Sequence, residues 1–199
     1  MCLLFETIRI ENGIPVNLTW HQRRMNQACR EIWKVDFLQS PGAEIHVPEE
    51  YSNGLVRCNL RYGPGIMEIK FNRYEKRTIR SLKLVIHNNI DYHLKYADRA
   101  GLEALFELRE TCDDILLVKN GLITDTSMSN IIFFDGNHWV TPAKPLLIGT
   151  CRERLLNENQ ISAMDIRPED LARYKGWKLI NAMRNPEEEE MMPVAEIKW

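Results

Sequence analysis

An α+β chain in two lobes is the fold class this sequence predicts, on three observations: glycine turns set between strand-like segments, an amphipathic helix between the first two of them, and a change of pattern in mid-chain. The turns are Asn12-Gly13, Asn53-Gly54, Asn120-Gly121 and Asp135-Gly136, each flanked by residues rich in Ile, Leu, Val, Phe or Thr. Such pairs tolerate the left-handed backbone that a two-residue hairpin needs, so all four read as hairpins. Thr19-Trp-His-Gln22 matches a capping box, and Met25, Ala28, Cys29, Ile32 and Trp33 follow at helical spacing, which predicts a helix starting near Trp20. Strands follow from Gly54 to about Ile86. The strand-rich run ends between His87 and Leu94, beside the loop signal Asn88-Asn89. The predicted lobes are therefore a small one over 1–87 and a larger one over 95–199, joined by a linker over 88–94.

In the second lobe Leu102, Leu105, Phe106 and Arg109 recur at three and four residues, predicting a helix from about Asp98 to Cys112. Short helices are expected over 150–157 and 168–174, and a strand through Trp177 to Met183. The run Pro186 to Glu190 reads as a solvated acidic loop.

Composition narrows the function. At 199 residues, 44% apolar and 27% charged, the chain is a globular protein able to bury a sizeable core. No apolar run approaches the roughly 20 residues of a membrane span, and Glu6 interrupts the amino terminus before a signal-peptide stretch can form. A cytoplasmic protein is expected, without a membrane partner. A net charge of −2 gives no reason to expect a nucleic-acid partner. Five cysteines, irregularly spaced and without a Cys-x-x-Cys pair, argue against a disulfide framework and a zinc site. A small-molecule partner and no metal are expected.

Three segments carry candidate chemistry. The strand Leu4 to Ile10 alternates, placing Leu4, Glu6, Ile8 and Ile10 on one face and Phe5, Thr7 and Arg9 on the other. The second face offers an aromatic wall, a hydroxyl and a guanidinium; the alternative is that it is merely solvated. Gly121 to Asn130 sets Asp125 and small polar residues between two apolar strands, where they either bond a polar ligand or fill turns. Pro145 to Arg152 turns from an apolar run through Gly149 into a helix start, an arrangement that favours a phosphate.

Together these segments resemble the class-IV aminotransferases, which include branched-chain and D-amino-acid aminotransferases and 4-amino-4-deoxychorismate lyase. Phe5-Glu-Thr-Ile-Arg9 resembles the family's Phe-Glu-x-Ile-Arg strand, and His21-Gln-Arg-Arg24-Met25 its His-x-x-Arg-Leu helix start. Leu94-Lys95-Tyr-Ala-Asp-Arg99 resembles the segment of the cofactor lysine, Thr124-Asp125 to Asn130 the Thr-Glu-x-x-x-x-Asn block, and Gly149-Thr-Cys-Arg152 the phosphate turn. The resemblance spans nearly the whole chain, with the motifs in family order.

The resemblance implies a two-lobe fold of the D-amino-acid aminotransferase type, with a small α/β lobe and a larger, β-barrel-like lobe carrying helices. It implies pyridoxal phosphate as cofactor, a homodimer, and Lys95 as the Schiff-base lysine, whose amine must reach a neutral, nucleophilic form. Asp125, glutamate in most of the family, would face the ring nitrogen and keep it protonated. Arg24, with Arg23 as its rival, would clamp the phosphate with the amides of Thr150 and Cys151, next to Gly149; Asn181 and Ala182 match a further phosphate contact loosely. Phe5, Thr7, Arg57 and Arg61 are candidates for the substrate, either arginine for its carboxylate. The implied reaction is at the amino group of a small amino-acid-like substrate. The Lys-x-x-x-Arg spacing of Lys95 and Arg99 favours the lyase, which releases pyruvate, over a D-amino-acid or branched-chain aminotransferase. A cofactor-binding protein without turnover is the non-enzyme alternative.

Overall fold

The computed structural model describes residues 3–37 and 39–199. The chain divides into two compact units, Met1–Lys76 with Leu94–Asp98, and Arg77–His93 with Arg99–Trp199.

The first unit is one antiparallel sheet with a helix on it. Its strands are β1 (Leu4–Glu11), β2 (Ile14–Pro15), β3 (Leu55–Tyr62) and β4 (Ile66–Arg73), in the order β2-β1-β3-β4. Asn12 and Gly13 turn β1 into β2 with φ of 47° and 80°, the left-handed pair a tight hairpin demands. Helix α1 (Leu18–Trp33) buries His21, Met25, Ala28 and Cys29. Their spacing makes one stripe, which packs on Leu4, Ile8, Val56 and Leu60. The Thr19–Gln22 capping box does not form. Asn17, at φ 59°, opens the helix without a side-chain cap, and Gln22 donates to Asn26 Oδ1 at 3.1 Å. A short helix, α2 (Pro41–Glu44), follows. Asn53-Gly54 is not a hairpin either; it leads into β3, and the Gly54 amide donates to Asn12 Oδ1 at 2.9 Å.

The upper edge of β1 is left open by the short β2, and residues 94–97 close it. Phe5 N–H donates to Lys95 O at 3.0 Å, Ala97 N–H to Leu3 O at 2.8 Å, and Leu4 bridges Tyr96.

The second unit holds two sheets and two helices. Its elements are β5 (Leu82–Ile86), α3 (Ala100–Phe106), β6 (Asp114–Lys119), β7 (Leu122–Thr126), β8 (Asn130–Phe134), β9 (Trp139–Pro142), α4 (Thr150–Asn157), β10 (Ser162–Met164), β11 (Gly176–Ile180), β12 (Met192–Pro193) and β13 (Ile197–Lys198). They form sheets in the orders β13-β5-β6-β7 and β10-β9-β8-β11-β12. Leu82, Leu116 and Ile123 of the first sheet share a core with Ile131, Phe133 and Trp177 of the second. Ile132 points the opposite way and meets Cys151 and Leu155 of α4.

Several expectations change here. Both sheets are open, so the barrel-like second lobe is replaced, among the described residues, by two facing sheets. The units do not divide at 87–94, because β5 pairs in parallel with β6 and so belongs to the second unit, while 94–98 joins the first. The helix expected over 98–112 is α-helical only to Phe106, continues as a 3-10 turn over Glu107–Arg109, and ends at Glu110, whose φ is 54°. The segment over 168–174 is a 3-10 helix, Pro168–Arg173. The acidic loop is not simply solvated, since Glu189 pairs with Arg184 at 2.7 Å and both side chains are under a tenth exposed. Cys29, Cys58, Cys112 and Cys151 are buried free thiols.

Candidate functional site

In the first unit the site residues sit on both faces of β1. The backbone pairing of 94–97 brings Lys95 to Phe5, with Nζ 4.6 Å from the ring centroid. On the same face, register sets Phe5 opposite Arg61, Thr7 opposite Asn59 and Arg9 opposite Arg57. Thr7 Oγ1 reaches Asn59 Oδ1 at 3.5 Å. This face is not the solvated one of the bland alternative: Phe5 and Thr7 are half-buried, and Arg9 is buried beside Glu11. The rival arginines differ. Arg61 is exposed and 3.7 Å from Glu68, whereas Arg57 has a buried Nε without a hydrogen-bond partner.

The other face of β1 carries Glu6, fully buried between Leu4 and Ile8. Helix α1 supplies its partners three residues apart: His21 Nδ1 lies 2.7 Å from Oε2, and Arg24 forks onto both oxygens, Nε at 2.8 Å and Nη2 at 2.5 Å. Burial alone would raise the Glu6 pKa; the Arg24 charge and the His21 hydrogen bond outweigh it and hold the carboxyl at about 2. His21 is pushed below its ordinary value, first by burial and also by the charges of Arg24 and Lys95, against the pull of Glu6. It is the neutral partner. Arg23, the rival of Arg24, is exposed and stacks on Trp20 at 4.7 Å. Neighbouring helix positions point about 100° apart, and only Arg24 faces inward.

In the second unit Asp125, Asn130 and the turn before α4 form one cluster. Asn130 Nδ2 donates to Asp125 Oδ1 at 2.8 Å and to Leu147 O at 2.9 Å, and the Leu147 amide donates to Asp125 Oδ2 at 2.7 Å. Burial pushes the Asp125 pKa up to about 6, although the Leu147 amide, Asn130 and the Arg152 charge oppose it. Gly149 is required by contact: a Cβ there would stand 1.9 Å from Asn130 Oδ1. Thr150 and Cys151 open α4 without a side-chain cap. The Cys151 thiol turns away, 3.8 Å from Arg184 O and into the core, so only its backbone faces the turn. Asn181 donates to Ser129 Oγ at 2.9 Å and accepts from the Met183 amide, spanning Ala182. Arg99 donates to Ser127 O at 2.8 Å and so braces the Asp125 block.

Glu6 and Asn130 are the groups sequence reasoning undervalued. An acid on an apolar strand face needs a buried partner, and that signal was present in Leu4-Phe-Glu6-Thr-Ile8. No cluster of three or more potential metal ligands occurs among the described residues, and no helix there is long and apolar enough to cross a membrane.

Residues 72–197 match the amino-transferase class IV family. A Haemophilus influenzae protein of uncharacterised function is 39% identical over 182 residues, covering 90% of this chain and 97% of that one. A Haemophilus somnus crystal structure, provisionally assigned as a 4-amino-4-deoxychorismate lyase, is 37% identical with a TM-score of 0.84, covering 92% of this chain and 97% of its own. A hypothetical aminotransferase from Mycobacterium tuberculosis, solved with pyridoxal phosphate bound, shares the fold at a TM-score of 0.76 and 16% identity, covering 98% of this chain and 81% of that one. The chain belongs to the class-IV aminotransferase family, whose members use pyridoxal phosphate.

The residues present fit that cofactor chemically. In the first unit the Arg24 guanidinium, and separately in the second unit a helix start behind a glycine that has no room for a Cβ, are each of a kind that suits a phosphate dianion. A carboxylate lifted to about 6 by burial suits a cationic ring nitrogen, which would relieve its desolvation.

Proposed function

We propose that the protein is a pyridoxal-phosphate enzyme acting on the amino group of a small amino-acid-like substrate, with Lys95 as the residue that binds the cofactor covalently. The observation that carries this reading is the edge pairing of 94–97 with β1, which holds the Lys95 amine against the Phe5 ring. When bound, the cofactor supplies an electron sink for a carbanion at the substrate's α-carbon. Arg24 and the Gly149–Thr150–Cys151 turn are assigned to its phosphate, with Asn181 and Ala182 as further backbone neighbours. Asp125 is assigned to the ring nitrogen, where its negative charge keeps the proton in place. Asn130 and the amides of Leu146 and Leu147 occupy three of the roughly four lone-pair sites of the carboxylate, so the clasp does not exhaust it.

Phe5 and Thr7 line the substrate side. Arg57 is favoured over Arg61 for the carboxylate, since its Nε is buried without a partner and a charged ligand would satisfy the guanidinium. Lys95 carries the proton between the substrate's α-carbon and the product.

Of the two reactions, pyruvate release from 4-amino-4-deoxychorismate is the one favoured, by the provisional assignment of the 37% identical Haemophilus somnus protein and by the Lys95–Arg99 spacing. Amino transfer is the second reading, favoured by Arg57, which sits where branched-chain enzymes are expected to hold a carboxylate. The test is to incubate cofactor-loaded protein with aminodeoxychorismate and with L- and D-amino acids plus a keto acid. Pyruvate and p-aminobenzoate from the first support the lyase. Amino transfer without either product replaces it, and no turnover of any substrate leaves the non-enzyme reading.

A further inference from the structure

Glu6 does something the assigned roles leave unused. It is a carboxylate with no exposure, set between two aliphatic side chains on the core face of β1 and bonded to two residues of α1. Desolvating a charge is costly, and a buried ion pair is often no more stabilising than aliphatic packing of the same volume. Three polar groups in the core of a unit this small are therefore poorly explained by stability alone.

We propose that Glu6 is a positioning residue for cofactor recognition: it presets the Arg24 guanidinium in the orientation that meets the phosphate. The inference rests on reading Arg24 as a phosphate group of the site. An arginine side chain populates many rotamers, and freezing them on binding subtracts from affinity. The side-on fork through Nε and Nη2 removes that freedom beforehand. His21, neutral through burial, anchors Oε2 from one helical turn earlier, so Glu6 cannot swing with Arg24. The trio then carries no net charge, and its contribution to phosphate binding is geometric. Tyr62 marks the same pocket of charge: its buried phenol has no hydrogen-bond partner, and both Glu6 and Arg24 bear on its ionisation.

The experiment compares the affinities of the cofactor-stripped full chain for pyridoxal phosphate and for pyridoxal, which lacks the phosphate, by absorbance titration. The parent, Glu6→Gln, Glu6→Asp and Arg24→Ala are measured with melting curves alongside. Glu6→Gln should lose affinity for pyridoxal phosphate on the order of tenfold, the lower end of what losing the outer partner of a metal ligand costs in metal affinity, while pyridoxal binding stays near the parent's. Glu6→Asp should restore part of the preference. If Glu6→Gln does not fold, Glu6→Asp decides, because it keeps the charge and shifts the fork. An unchanged preference, or an equal loss for both ligands, overturns the inference. If Arg24→Ala also leaves the preference intact, the reading of Arg24 itself has failed, which is a separate outcome from a silent Glu6.

Discussion

At Asp125 the role proposed for the ring nitrogen and the stability of the fold meet in one carboxylate. Its pKa is raised from 3.8 to about 6, chiefly by burial, so in the apoprotein the neutral form persists up to about pH 6 and the carboxylate prevails above it. The stability it contributes is full below about 3.8 and is lost as pH rises through about 6. Asp125→Asn should remove that loss from the urea-unfolding profile of the apoprotein between those values. The same variant should keep the cofactor, since Lys95 is untouched, yet turn over substrate at least about a hundredfold more slowly, because a neutral amide does not hold the ring-nitrogen proton. Turnover like the parent's would make Asp125 a turn residue. Arg24→Ala should lose the cofactor on dialysis faster than Arg23→Ala; equal retention would move the phosphate site elsewhere. The resemblance assigned the phosphate to Arg24 with Arg23 as its rival, and the rotation of α1 turns Arg24 inward and leaves Arg23 on Trp20.

At the scale of elements, the join between β8 and the turn before α4 is sensitive to a small change. Gly149→Ala puts a methyl into Asn130 Oδ1, and Asn130 holds both Asp125 and Leu147 O. That overpacking should cost about 1–3 kcal/mol in chemical denaturation and weaken cofactor retention. A variant that retains both would show that the turn can shift freely. Local chemistry was readable where it was complete in itself. Asn12-Gly13 and Asn120-Gly121 are hairpin turns with positive φ at both residues and Asp135-Gly136 one with positive φ at the glycine, while Asn53-Gly54 has positive φ at Gly54 but spends it on a side-chain cap from Asn12. The capping box failed for a related reason: Asn17 takes the left-handed conformation and starts α1 before Thr19. In β1 the alternation was legible, but the partners of Glu6 lie on another element.

For the whole molecule, long-range pairing decided what the sequence could not. The return of 94–98 to β1 and the parallel pairing of β5 with β6 are made between distant residues, and no local pattern encodes them. The order of the motifs pointed to the family, whereas the β-barrel-like detail that came with the resemblance is not found among the described residues, where the second unit has two open sheets. Glu6 and Asp125 oppose each other in the pH profile. Glu6, depressed to about 2, contributes stability above about 4.5 that is lost as pH falls towards 2, while the contribution of Asp125 is lost as pH rises through about 6. From these two groups the apoprotein should be most stable near pH 4–5, with Glu6→Gln erasing the acid limb and Asp125→Asn the upper one. The central claim is tested most directly by reducing the cofactor-loaded protein with borohydride and mapping the modified peptide. The account predicts one pyridoxyl label, on Lys95. A label on another lysine, or none, would contradict it.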